Sequence, residues 1–204
     1  MSCRSLFFTF VMITGLGVTA GFHRLFTHGL YKTVKLVRYG LAIAGSMAAQ
    51  NSLFRWVADH RDHHKHSDEE GDPHSPHHHG RGAWGMIRGF FHAHCGWFSR
   101  PRNSKKDTVT DLARDRWLVV INRLYPLWVF LGLVLPGVIW GVITMSWWGG
   151  LLGFVWGGVI RLFFVYHVTW SINSICHIWG SRPFTTNDHS RNNSFFGFFG
   201  FGEG

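Results

Sequence analysis

At 204 residues the chain has room for one domain, and 46% hydrophobic with only 15% charged residues suits a chain partly solvated by lipid. A net charge of +9 leaves nucleic acid, an anionic membrane surface and an acidic substrate all open. Three cysteines without paired spacing, Cys3, Cys95 and Cys176, argue against a disulfide framework or a thiolate zinc site, and the feature to explain is 15 histidines, none in a terminal run.

In chain order, residues 5–22 carry no charge and predict a membrane helix over 6–21. A signal peptide would look similar, but the small residues 17–21 run directly into His23-Arg-Leu-Phe-Thr-His28. On an α-helix, five residues turn about 500°, setting these imidazoles roughly 140° apart, so they would serve two metals or grip one across a distorted turn. Residues 39–54 are uncharged but short for a crossing, and predict a buried or re-entrant helix. Residues 55–123 form the polar part. Within it, His60-Arg-Asp-His63-His64 places imidazoles at i, i+3 and i+4 on one helix face, where neutral rings ligating metal make better sense than three mutually repelling cations.

The stretch from Asp68 to His79 reads as a loop by its Gly71, Pro73 and Pro76. A loop does not hold ligands in advance as a helix does, so His77, His78 and His79 are not expected to be metal ligands. Residues 124–160 are uncharged and too long for one crossing, which predicts a helical hairpin turning at Met145-Ser-Trp-Trp-Gly-Gly150, where glycines permit the reversal. Beyond it, Asn173 and His177 are spaced i, i+4 on a helix. The positive-inside rule puts residues 55–123 and the tail on the cytoplasmic side.

These positions supply imidazoles without ExxH carboxylate pairs, HExxH or CxxC, so ferritin-like and common zinc-hydrolase patterns fail. The donor chemistry favours iron, zinc, copper or nickel, and supports a multi-histidine redox or Lewis-acid metal site at a membrane face.

The joint pattern of His23 to His28, Gln50-Asn51, Asp59 to Ser67, Asp72-Pro-His-Ser75, His94-Cys-Gly-Trp97, Thr169-Trp170, Asn173 to His177 and Gly180-Ser-Arg-Pro183 resembles the membrane acyl-CoA desaturases of the stearoyl-CoA delta-9 type, bacterial branch. The resemblance covers nearly the whole chain. It implies an all-α fold, with three of the family's four membrane spans at about 5–22, 124–144 and 148–169. A cytoplasmic helical cap, about 23–123 and 170–204, would carry the histidine boxes. The implied reaction is O2-dependent insertion of a cis double bond into a fatty acyl thioester, with acyl-CoA as the expected substrate. The implied cofactors are two non-haem iron ions, and electrons would come from a ferredoxin or cytochrome b5-type donor with its reductase.

The resemblance assigns His23, His28, His60, His63, His64 and His177 as iron ligands, with Asn173 acting through water. It makes Asn51, Asp59, Trp170 and Arg100 substrate contacts. Ala58 stands where animal members have an arginine that helps hold coenzyme A, which leaves the carrier open. The family's third box, HxxHH, follows a Gly-Glu-Gly like Gly202-Glu203-Gly204, and only one span precedes His23, so the chain reads as a fragment expected to be inactive alone. A di-iron membrane hydroxylase is the alternative within enzymes. A histidine-rich metal transporter would need ionisable residues within the spans, where only His167 qualifies.

Overall fold

The structure is a computed structural model that describes residues 3–69, 72, 74–99, 106–183, 185 and 189–203. Among these the fold is all-helical, with a single isolated bridge between Ser181 and Asn192. Among the described residues three helical segments are long and apolar enough to cross a membrane: Cys3–Thr27, Tyr125–Thr144 and Trp147–His177. The chain divides into two compact units, residues 1–57 with 106–166, and residues 58–105 with 167–204.

In the first unit, helix α1 (Cys3–Leu16) widens into a π-helical segment, Gly17–Thr27, and α2 (Lys35–Met47) packs against it. A Cβ on Gly45 would lie 2.5 Å from the Phe22 ring and 2.7 Å from the Gly17 carbonyl, so glycine permits the crossing. The helix expected over 39–54 therefore begins earlier and stops at Met47. The chain then turns through Ala49 and Asn51, both with positive φ, into α3 (Leu53–Lys65). Tyr166 hydroxyl donates to Ala49 O, Asn51 N donates to Tyr125 hydroxyl at 3.1 Å, and Phe54 N to Asn122 Oδ1 at 2.8 Å, so the turn is pinned from three directions.

Further along, α4 (Gly82–His94) precedes the short α5 (Thr110–Ala113) and α6 (Arg116–Arg123). Asp115 caps α6 by accepting from Trp117 N at 3.0 Å, satisfying one of the donors a helix start leaves open. The expected hairpin follows as α7 (Tyr125–Thr144) and α8 (Trp147–Gly153), which continues through a π segment, Phe154–Ile160, into α9 (Arg161–Ser174). The reversal itself uses Met145 at φ 48° and not a glycine, with Ser146 capping α8. The glycines serve contact instead: a Cβ on Gly153 would meet Pro136 O at 2.5 Å and the Trp140 Cβ at 2.6 Å.

Arg161 does not end the hairpin. It lies inside the Trp147–His177 span, fully buried, and donates to Met47 O at 2.9 Å, Gly132 O at 2.6 Å and Gly157 O at 3.1 Å. Two of these acceptors need it. Pro136 has no N–H to give Gly132 four residues back, and Met47 is the last residue of α2, where carbonyls lack helical partners. An intramembrane ionisable group beyond His167 is thus present, engaged by backbone.

In the second unit, the end of α3 leads into the loop before α4, and a Cβ on Gly89 would collide with the backbone of Pro76, so loop and helix lie in close contact. After α9 comes a 3₁₀ turn, Ile175–His177, where Arg191 N donates to Cys176 O at 2.7 Å. The last described helix is α10 (Ser194–Phe199), capped by Asn193.

Candidate metal centre

Three histidines of the second unit leave α3 on one side, as their spacing predicts. His60 and His64, one turn apart, bring their Nε2 atoms to 3.1 Å. Two bonds of about 2.1 Å to one ion would then enclose roughly 95°, an acceptable angle for imidazole ligation. His63 points elsewhere: it is buried, its ring centre 5.9 Å from that of His177, and its Nδ1 lies 2.9 Å from Asp72 Oδ1. His177, also buried, places Nδ1 3.0 Å from Asp68 Oδ2. The second box and His177 therefore share one neighbourhood.

Asp68 and Asp72 organise it. Burial alone would raise the Asp68 pKa, but hydrogen bonds from His177, His189 N and Ser75 outweigh it and hold the carboxyl far below the usual carboxylate range. For Asp72 the same opposition, burial against His63 and His74, brings the pKa down to about 2. Both are ionised at neutral pH. His63, Asp72 and His74 offer ligand atoms within 4.8 Å of one another, but Asp72 Oδ1 already accepts from His63 Nδ1 and, at 3.0 Å, from His74 N. That arrangement is a hydrogen-bonded cluster.

The first box belongs to the other unit. His28 N donates to His23 O at 3.1 Å, an i→i+5 bond, and the two Nε2 atoms stand 3.1 Å apart. The roughly 140° separation expected for an α-helix does not occur, because the π turn brings residue i+5 back over residue i. The pair is the gripping arrangement that needed a distorted turn.

Asn173 lies in the last turn of α9, and the helix tightens to 3₁₀ before His177, so regular i, i+4 spacing is broken between them. Asp59 is buried in α3, Asn51 sits in the pinned turn, and Trp170 packs edge-on against His94 and His167 at 5.8 and 5.4 Å. Arg100 lies outside the described residues. Of the loop histidines, His77 Nε2 is 3.1 Å from His177 O, His78 Nε2 is 2.7 Å from Asp68 O, and the His79 ring lies tilted 4.4 Å from that of His92. Sequence reasoning missed Asp68, Asp72 and the His94–His167 contact at 2.9 Å. Acids four and eight residues beyond His64 were the available signal for the first two.

Residues 4–204 match the family model described as fatty acid desaturase. The chain belongs to the fatty acid desaturase family. It is 42% identical over 191 residues to the hex-5-enoyl-(acyl-carrier protein) acetylenase of Moorena producens, covering 92% of this chain and 60% of that protein. It is 38% identical over 195 residues to the icosanoyl-CoA 5-desaturase of Limnanthes douglasii, covering 93% and 49%. To the sn-1 stearoyl-lipid 9-desaturase of Synechocystis sp. it is 34% identical over 202 residues, covering 97% and 57%. The chain spans about half the length of the curated relatives it matches. Within this desaturase family the helical, membrane-crossing character of the chain is the expected one.

Proposed function

We propose that this protein introduces a cis double bond, at the delta-9 position, into a saturated fatty acyl thioester, at a histidine-held di-iron centre. The observation that carries the reading is the helix-borne His60 and His64 pair beside His63 and His177, whose Nδ1 atoms rest on buried carboxylates. Imidazole donors at these separations fit iron, and His23, His28, His60, His63, His64 and His177 would hold it, with Asn173 acting through water. When bound, iron would supply the O2 chemistry, with two electrons from a ferredoxin or cytochrome b5-type donor, by which hydrogen leaves an unactivated C–H bond.

The chain's own residues bind, orient and exclude water. Trp170 offers a broad apolar wall, held between His94, His167 and Phe98, against which an acyl chain can lie. Asn51, Asp59 and Arg100 are the proposed contacts toward the polar end of the substrate. The relatives are named for acyl-carrier-protein, coenzyme A and lipid substrates, and Ala58 lacks the basic group that would favour coenzyme A. The histidine boxes would face the cytoplasm, following the excess of Lys and Arg around them.

The test is to express the natural gene in a host lacking its own desaturase, supply stearate and analyse the fatty acids. Oleate that disappears in His60→Ala is expected. A hydroxy acid in its place would make the protein a hydroxylase, and an unchanged profile would overturn the proposal.

A further inference from the structure

We propose that Asp68 and Asp72 are positioning residues that fix His177 and His63 as Nδ1–H tautomers and aim both Nε2 atoms at metal. The metal half of this statement rests on the di-iron reading above; the tautomer half does not.

Asp72 takes backbone N–H donors on both oxygens, from His74 and Asp68, and Asp68 takes the His189 N–H on the oxygen that faces His177, so toward both rings the carboxyls act as acceptors. His177 Nδ1 at 3.0 Å from Asp68 Oδ2, and His63 Nδ1 at 2.9 Å from Asp72 Oδ1, must therefore carry protons. A neutral imidazole protonated at Nδ1 has its lone pair at Nε2, so the ligating atom of each ring is decided before any ion arrives. The carboxylates cannot swing away. Asp68 Oδ1 accepts from Ser75 Oγ at 2.8 Å and Oδ2 also from His189 N at 2.7 Å. Asp72 Oδ1 also accepts from His74 N at 3.0 Å, and Oδ2 from Asp68 N at 2.8 Å. That last bond joins the two halves, giving one strap from His177 through Asp68 and Asp72 to His63. Two histidines far apart in sequence are oriented by acids from a single short loop. Carboxylates behind ligating imidazoles fix ring orientation and raise ligand basicity, and their loss commonly costs 10–100-fold in metal affinity.

The experiment uses metal-free protein in lipid at pH 8 with ¹⁵N-labelled histidine, reading each ring's tautomer by solid-state NMR. His63 and His177 are expected as Nδ1–H. Asp72→Ala should release His63 and leave His177, Asp68→Ala should do the reverse, and Asp68→Asn, whose amide N can face the adaptable Ser75 hydroxyl while its oxygen meets His189 N and His177, should restore the wild-type His177 tautomer. Unchanged tautomers in the alanine variants would overturn the proposal. Iron retained against a chelator is the second readout: at least a tenfold loss of affinity is expected for each alanine variant, with His60→Ala as reference. If His60→Ala loses iron and the aspartate variants hold it as wild type does, the positioning role fails while the iron reading stands. If His60→Ala holds iron normally, the iron reading fails and the tautomer result remains. A proton leaving His63 Nδ1 on loading with Fe(II) would make His63, Asp72 and His74 the ligand set and overturn the strap.

Discussion

His60 and His64 are carried by a helix, whereas His79 lies in the loop before α4 with its ring tilted 4.4 Å from that of His92, and this difference in preorganisation sets the expectation of which keeps an ion. Replacing His60 or His64 with alanine is expected to remove at least nine-tenths of tightly bound iron, on the order of the 10–100-fold cost seen even for indirect partners. His79→Ala should retain nearly all of it. Metal analysis after chelator washing distinguishes the two, and equal loss would refute the preorganisation argument. At this scale the geometry of the second box was legible because its i, i+3 and i+4 spacing projects directly onto one helix face. Asp68 and Asp72 were not, because what matters about them is their tertiary contact with His177 and His63, and two acids in a Gly/Pro loop read as solvated charges. The same loop carries His77 and His78, whose bonds to the carbonyls of His177 and Asp68 were equally beyond the reach of sequence spacing.

Helices α7 and α8 approach through their glycines, and two neighbouring glycines should respond oppositely to one added methyl. A Cβ on Gly153 would meet Pro136 O at 2.5 Å, while on Gly150 its nearest neighbour would be Gly137 O at 3.5 Å. Gly153→Ala is therefore expected to destabilise by about 1–3 kcal/mol through overpacking. Gly150→Ala should be neutral or stabilising, since alanine is the better helix former. Thermal unfolding in detergent reads both. The same helix carries the debt created by Pro136, and Arg161→Met should leave the carbonyls of Gly132 and Met47 short of donors, at about 1–3 kcal/mol each. Pro136→Ala returns an N–H to Gly132, so the double variant should lose less than Arg161→Met alone; additive losses would refute the pairing. Of these elements, the hairpin and its turn were readable from uncharged length, but the π segments were not, because side-chain periodicity does not reveal a switch from i→i+4 to i→i+5 bonding.

For the molecule as a whole, three apolar segments set the expectation of an integral membrane protein. Its orientation can be read with its own cysteines: Cys95 is exposed, Cys176 buried, and Cys3 half-buried within a span. A membrane-impermeant maleimide should fail to label Cys95 in intact cells and label it after permeabilisation; labelling in intact cells would place α4 outside and overturn the cytoplasmic assignment. Arg161 adds a constraint on how such a molecule is made. An arginine at the centre of an inserting helix costs about 2.5–3.5 kcal/mol at the translocon, and here its two distant acceptors, Met47 and Gly132, are both synthesised before it. Biogenesis thus has a direction: the guanidinium emerges from the ribosome to find its carbonyls already present, and a piece beginning after Gly132, made alone, would enter the bilayer with that charge unsheltered.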